Sequence, residues 1–160
     1  MKSALDTLFL PLQQDLLSVG NGSALFLNAR YARYLKNFPN PIAIVQYFKP
    51  YVDELEHAGF EVQAGVPDNH EFEYVLVLGT KSRLETQIML ARAALHLKKD
   101  GVILVAASNK EGAGRLKKML GDIGFENIQD MTKNKARVCW AKKSDELNKL
   151  LLEEWIQPDG

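Results

Sequence analysis

The stretch FEYVLVLGTKSRLETQIMLARAALHLKKDGVILVAAS, residues 72–108, decides the fold. Near its ends, VLVL and VILVAA are apolar with little alternation, the pattern of strands buried on both faces. Between them, SRLETQIMLARAALHLKK (82–99) sets Leu84, Ile88 and Leu95 on one face and predicts a long amphipathic helix. A strand, a helix of that length and a second strand make a crossover, which pairs the two strands in parallel with a right-handed connection.

Outward from this unit the alternation continues. SALFLN (23–28) follows the turn GNG and predicts a first strand. ARYARYLKNF (29–38) carries Tyr31, Tyr34, Leu35 and Phe38 at helical spacing and stops at Pro39. PIAIVQYF (41–48) predicts a second strand. KPYVDELEHAG (49–59) predicts a helix with Pro50 in its first turn and Gly59 at its end. FEVQAG (60–65) is a short third strand, and 72–79 and 100–108 are the fourth and fifth. GAGRLKKMLGDIG (112–124) predicts a helix closing on Gly124, and FENIQDMT (125–132) with ARVCWAKK (136–143) a hairpin around KNK. SDELNKLLLEEWI (144–156) predicts an amphipathic helix capped by Ser144 or Asp145. The sum is an open, doubly wound, mostly parallel α/β sheet of six or seven strands, ending in an antiparallel hairpin.

A chain of 160 residues with 46% hydrophobic and 25% charged residues suits one well-buried globular domain. No apolar run is long enough to span a bilayer, and ALDTLFLPL, broken by Asp6 and Pro11, makes a poor export signal. A single cysteine, Cys139, excludes an internal disulfide and fits a reducing compartment, so a cytoplasmic location with no membrane partner is expected. Net charge is zero but unevenly spread: residues 50–80 hold seven acids and no Lys or Arg, whereas 81–143 hold fourteen Lys or Arg against six acids. Such a split suits either solvated helix faces or a basic face that meets phosphate.

In sheets of this class ligands sit beyond the carboxyl ends of the strands. The first strand exits into NARYARYL, with no glycine to let a phosphate or a carboxylate approach the backbone. The second exits into VQYFKP, where Gln46 is a weak substitute for the acid that grips a ribose. The fourth runs into LGTKSR. The fifth runs into SNKEGAGRLKK (108–118), where Gly112 and Gly114 read as a turn into the helix, since position 117 is lysine and no Gly-Lys-Ser/Thr follows. His57, His70 and His96 are scattered, and Cys139 has no partner at metal-ligand spacing, so no catalytic or metal-binding residue is expected.

The run 72–128 resembles the second half of a class I S-adenosylmethionine-dependent methyltransferase, with its turn at Leu97–Gly101 and its Gly124-Phe125 pair ahead of the hairpin. More narrowly, ALDTLFLPL…LFLNAR and KSRLETQ resemble the N-terminal domain of the two-domain rRNA guanine-N2 methyltransferases of the 16S type, across about the first 143 residues. The resemblance implies a Rossmann-like methyltransferase fold and a degenerate copy of the catalytic domain. The cofactor loop is missing, and LGTKSR stands where catalytic domains carry Asn-Pro-Pro-aromatic; the only Asn-Pro pair is Asn40-Pro41, ahead of the second strand. It further implies that residues 1–143 form this domain and that 144–160 hold a helix and the start of a link to a missing catalytic domain. No cofactor is expected on this domain; S-adenosylmethionine belongs to the catalytic one. The implied partners are that catalytic domain and rRNA or the small ribosomal subunit.

Five cations lie just past predicted strand ends: Arg30, Lys49, Lys81, Arg83 and Lys110. If they ring an empty crevice mouth, they are candidates for RNA phosphate contact. Two further readings stay open. One is an active small methyltransferase with an unusual cofactor loop. The other is an interaction domain docking a protein through Leu147, Leu150, Leu151 and Trp155 of the last helix.

Overall fold

The computed structural model describes residues 3–17, 20–66, 70–145 and 147–156. Seven strands, β1 (Ala24–Leu27), β2 (Ile42–Val45), β3 (Val62–Gln63), β4 (Phe72–Leu78), β5 (Leu97–Ser108), β6 (Gln129–Lys133) and β7 (Ala136–Lys142), form one sheet in the order β3-β2-β1-β4-β5-β7-β6. The first five pair in parallel, as the crossover lengths require. β7 is antiparallel to both β5 and β6, which makes the expected terminal hairpin.

Among the described residues seven α-helices accompany the sheet: α1 (Ala4–Leu8), α2 (Leu10–Gln13), α3 (Arg33–Lys36), α4 (Lys49–His57), α5 (Arg83–His96), α6 (Leu116–Asp122) and α7 (Lys149–Ile156). Alternation along the strands splits their side chains between two cores. Leu25, Val75, Val77, Ile103 and Val105 face Leu90, Ala94, Met119 and Leu120 of α5 and α6. Phe26, Tyr74, Leu76, Leu104 and Val138 face Leu8, Leu12, Leu35 and Leu55 of α1 to α4. Helices on both faces and no solvent-facing side in the middle account for the unbroken apolar runs.

Several boundaries differ from the sequence reading, each for a local reason. The helix expected over 29–38 is one turn, α3. Asn28 takes a left-handed φ of 59°, the Ala29 N–H then donates to the Val45 carbonyl at 3.1 Å, and Ala32 is still extended, so the chain cannot coil before Arg33. The long helix stops at His96 and its expected last residues join β5, with Leu97 beside Phe72. Asp100 at φ 67° and Gly101 make the bend; a Cβ on Gly101 would lie 2.8 Å from the Glu73 carbonyl oxygen. Lys143 fixes that end of α5, its ammonium donating to the Ala94 and Leu97 carbonyls at 2.8 and 2.7 Å, and burial lowers its pKa. The last helix begins at Lys149, not beside Ser144 or Asp145, because Asn148 is its cap: its Oδ1 accepts the Leu151 N–H at 3.1 Å. Leu152 and Trp155 pack into the core and Leu147 and Leu151 are packed beside it, leaving Leu150 of the apolar stripe 81% exposed. QPDG (157–160), the expected start of the link, lies outside the described residues.

The chain's beginning is joined to the hairpin. Thr7, fully buried, donates through Oγ1 to the Lys133 carbonyl at 3.0 Å and accepts from Asn134 Nδ2 at 3.2 Å. Asn134 and Lys135 are both left-handed, at φ 59° and 56°, which gives the two-residue turn the twist of its strands.

Cys139 lies on β7 at zero exposure, and burial, helped by Asp130, pushes its thiol from an ordinary 9.0 up to about 12. The folded chain is therefore expected to resist maleimide at about pH 8, and to react once unfolded. Because the unfolded thiol releases its proton first, stability falls as pH rises from 9.0 toward about 12. Rapid native labelling, followed by mass spectrometry, would contradict this placement.

Candidate nucleic-acid interface

β1 leads toward β2 and β3, while β4 on its other side leads toward β5, so the chain changes direction between β1 and β4. The crevice beyond the carboxyl ends of that pair is where such a sheet holds ligands. In this chain it is stitched by side chains. Asn28 Nδ2, just past β1, donates to the Leu78 carbonyl at the end of β4 at 2.7 Å. Gln46, past β2 and buried, donates through Nε2 to Asn28 Oδ1 at 3.2 Å and to the Ala29 carbonyl at 2.7 Å. Its Oε1 accepts the Tyr47 and Phe48 N–H groups, each at 2.9 Å. Both ends of the Gln46 amide are thus turned inward, and nothing of it faces a ribose.

The β4 exit closes on itself as well. Ser82 caps α5 by accepting the Glu85 N–H at 3.2 Å. Thr80 Oγ1 donates to Glu85 Oε2 at 3.0 Å, and Thr86 Oγ1 accepts the Thr80 N–H at 3.2 Å. At the β5 exit, Gly112 has φ 91° and joins two short 3-10 turns, Asn109–Glu111 and Ala113–Arg115. Its glycine serves that left-handed turn. The Arg115 guanidinium crosses back to the Lys81 carbonyl at 3.0 Å, tying the β5 exit to the β4 exit.

The five cations separate into two groups. Arg30 pairs with Glu54 at 3.3 Å and lies 3.6 Å over the centre of the Tyr51 ring, and Lys49 pairs with Asp53 at 2.6 Å. The hydrogen bond from Lys49 to Asp53 also raises the lysine pKa. Lys81, Arg83 and Lys110 are exposed and, among the described residues, join no ion pair. Sequence reasoning missed two companions. Because β7 runs antiparallel to β5, with Ala136 beside Ser108, the KNK turn arrives at the same edge as the strand exits. Lys135 accepts the Asn109 N–H on its carbonyl at 2.9 Å, which sets it next to Lys110, and Lys133 flanks the turn. Lys81, Arg83, Lys110, Lys133 and Lys135 therefore share the carboxyl edge of the sheet.

Two clefts flank the stitch. One, of about 360 Å³, opens at the ends of β1 and β2, where Asn28 and Gln46 themselves line it, and is completed by Phe48, Val66 and Met89 with Glu85 and Arg92. The other, of about 480 Å³, is lined by Arg30, Tyr51, Gly79 and Ser108. Among the described residues no His, Cys, Asp and Glu gather in a group of three able to hold a metal ion, and no helix is long and apolar enough to cross a membrane.

Among solved structures, the chain is similar to the 16S rRNA N2 methyltransferase RsmC of T. thermophilus, determined with AdoMet and guanosine: 17% identity, TM-score 0.71, 91% of this chain and 40% of that one. It is also similar to a methyltransferase from Pyrococcus furiosus (13%, 0.62, covering 84% and 83%). The ribosomal protein L11 methylase of Lactobacillus delbrueckii subsp. bulgaricus is a third (10%, 0.65, covering 88% and 79%). At these identities the likeness carries the fold. The chain spans 40% of the length of the RsmC chain. No curated protein matches it in sequence. The profile of the Methyltransferase small domain N-terminal family matches residues 13–158, and it is to this family that the chain belongs.

Proposed function

We propose that this chain is a non-catalytic, methyltransferase-shaped domain that acts beside a catalytic domain of the same cytoplasmic protein. It supports that domain's folding and contributes a cationic edge to binding of its RNA, with N2 methylation of a guanine in small-subunit rRNA as the activity of the whole. Catalysis and S-adenosylmethionine belong to the catalytic domain, to which residues 144–160 lead. The observation that carries the reading is the Asn28–Leu78 hydrogen bond at 2.7 Å, which bridges the ends of β1 and β4 with the chain's own side chain. S-adenosylmethionine does not fit what surrounds it. No glycine follows β1, no acid follows β2, and the buried Gln46 amide already has its partners. The exposed, unpaired cations along the same edge suit a phosphate backbone and require no pocket.

Calorimetric titration with S-adenosylmethionine is expected to give no heat of binding up to about millimolar ligand, a range in which a cofactor site would saturate. Micromolar binding would move the chain to the class of active small methyltransferases and end the non-catalytic reading.

A further inference from the structure

We infer that the cleft beside Phe48 takes one unpaired RNA base, stacked on the Phe48 ring, a reading that rests on the RNA contact proposed above. Phe48 and Tyr47 are 55% and 65% exposed, while the cores beneath them are closed. Exposed phenylalanine forgoes its burial energy, and one that is also held still is prepared to stack. Both backbone N–H groups are fixed by Gln46 Oε1, and the Phe48 ring meets Tyr51 edge-on with centroids 4.8 Å apart. Val66, Ile88 and Met89 give the cleft apolar lining as well, and the amides of Asn28 and Gln46 lie at its strand-end side.

Size and charge choose the occupant. At about 360 Å³ the cleft lies at the small end of ligand sites, room for a base and not for a dinucleotide. Glu85 and Arg92 at its rim offer an acceptor and donors to the edge of a base. Thr80 and Glu85 line the cleft, and between them in the chain stand Lys81 and Arg83, so the phosphates flanking a bound base have cations beside them. A polyanionic strand suits that neighbourhood better than an apolar peptide does.

The test uses the 160-residue chain and a fluorescein-labelled single-stranded oligoribonucleotide of about twelve mixed bases, followed by anisotropy over a range of salt. Phe48→Ala is expected to weaken binding about tenfold with no change in the salt slope, and Phe48→Tyr to restore it, since loss of one stacked base removes no phosphate contact. An oligomer with abasic sites along its length should bind wild type and Phe48→Ala alike. Because Phe48 is largely exposed, the variant keeps its melting temperature, which circular dichroism checks. Wild-type RNA binding that Phe48→Ala leaves unchanged overturns the base cleft and leaves the cationic edge standing. No RNA binding by wild type at low salt overturns both. Free adenosine or S-adenosylmethionine that competes at micromolar concentration assigns the cleft to a free ligand and overturns the RNA base.

Discussion

Reversing the charge of Lys81, Arg83 and Lys110 together is expected to lower affinity for single-stranded rRNA fragments about a hundredfold near 0.1 M salt. The magnitude follows from counterion release. Each phosphate neutralised on a single strand contributes about 0.7 to the salt exponent, so three contacts contribute about two, or two decades of affinity at one-tenth molar salt. The slope of log affinity against log salt should fall by the same two units. Arg30 and Lys49 serve as internal controls, because Glu54 and Asp53 already engage them, and reversing either should shift affinity by far less. Adding Lys133 and Lys135 to the triple variant should deepen the loss, since the hairpin brings them to the same edge. Equal affinity of triple variant and wild type at low salt would remove the cationic edge from the account.

Gln46→Leu is expected to destabilise the chain by about 3 kcal/mol, read by urea denaturation, and to lower the melting temperature by about 10 °C. The leucine fits the apolar surroundings but leaves the Tyr47 and Phe48 N–H groups, the Ala29 carbonyl and Asn28 Oδ1 without the partner they share. A buried group stripped of its partner costs about 1–3 kcal/mol, and water at the crevice mouth recovers some of the four. Gln46→Glu is informative beside it. It keeps the acceptor for the two N–H groups but sets a carboxylate oxygen against two carbonyl oxygens, so it should destabilise more at neutral pH than in acid. A loss under about 1 kcal/mol for Gln46→Leu would mean that the stitch contributes little.

The central unit was legible because its signals are long. VLVL and VILVAA could only be interior strands, and fourteen residues of α5 give the period time to show. Short elements gave no such signal. The five and four residues of α1 and α2 are too few to display a period, and the first stretch of 29–38 has helical spacing that a hydrogen bond from Ala29 to Val45 overrides. Sequence spacing named Arg30, Lys49, Lys81, Arg83 and Lys110 as one set, yet acids from α4, remote from Arg30 in sequence, divide them. Lys133 and Lys135 were invisible for a converse reason. Only the antiparallel register of β5 and β7 reveals that a turn near residue 134 lands beside residue 109. Gln46 was noticed as a poor grip for a ribose, but which way its amide faces is a tertiary fact.

The join between Thr7 and the hairpin turn has a bearing on synthesis at the ribosome. The α1 segment has its seat on strands β5 and β7, and the Thr7 hydroxyl meets its hairpin partners only more than a hundred residues downstream. Phe26 and Tyr34 emerge early enough to meet Phe9, but the β5 and β7 part of the seat is missing until then, so Leu8 and Phe9, fully and almost fully covered in the finished domain, are only partly sheltered. That segment of the nascent chain therefore stays incompletely covered until the hairpin has been made, a natural handle for chaperones that work at the tunnel mouth.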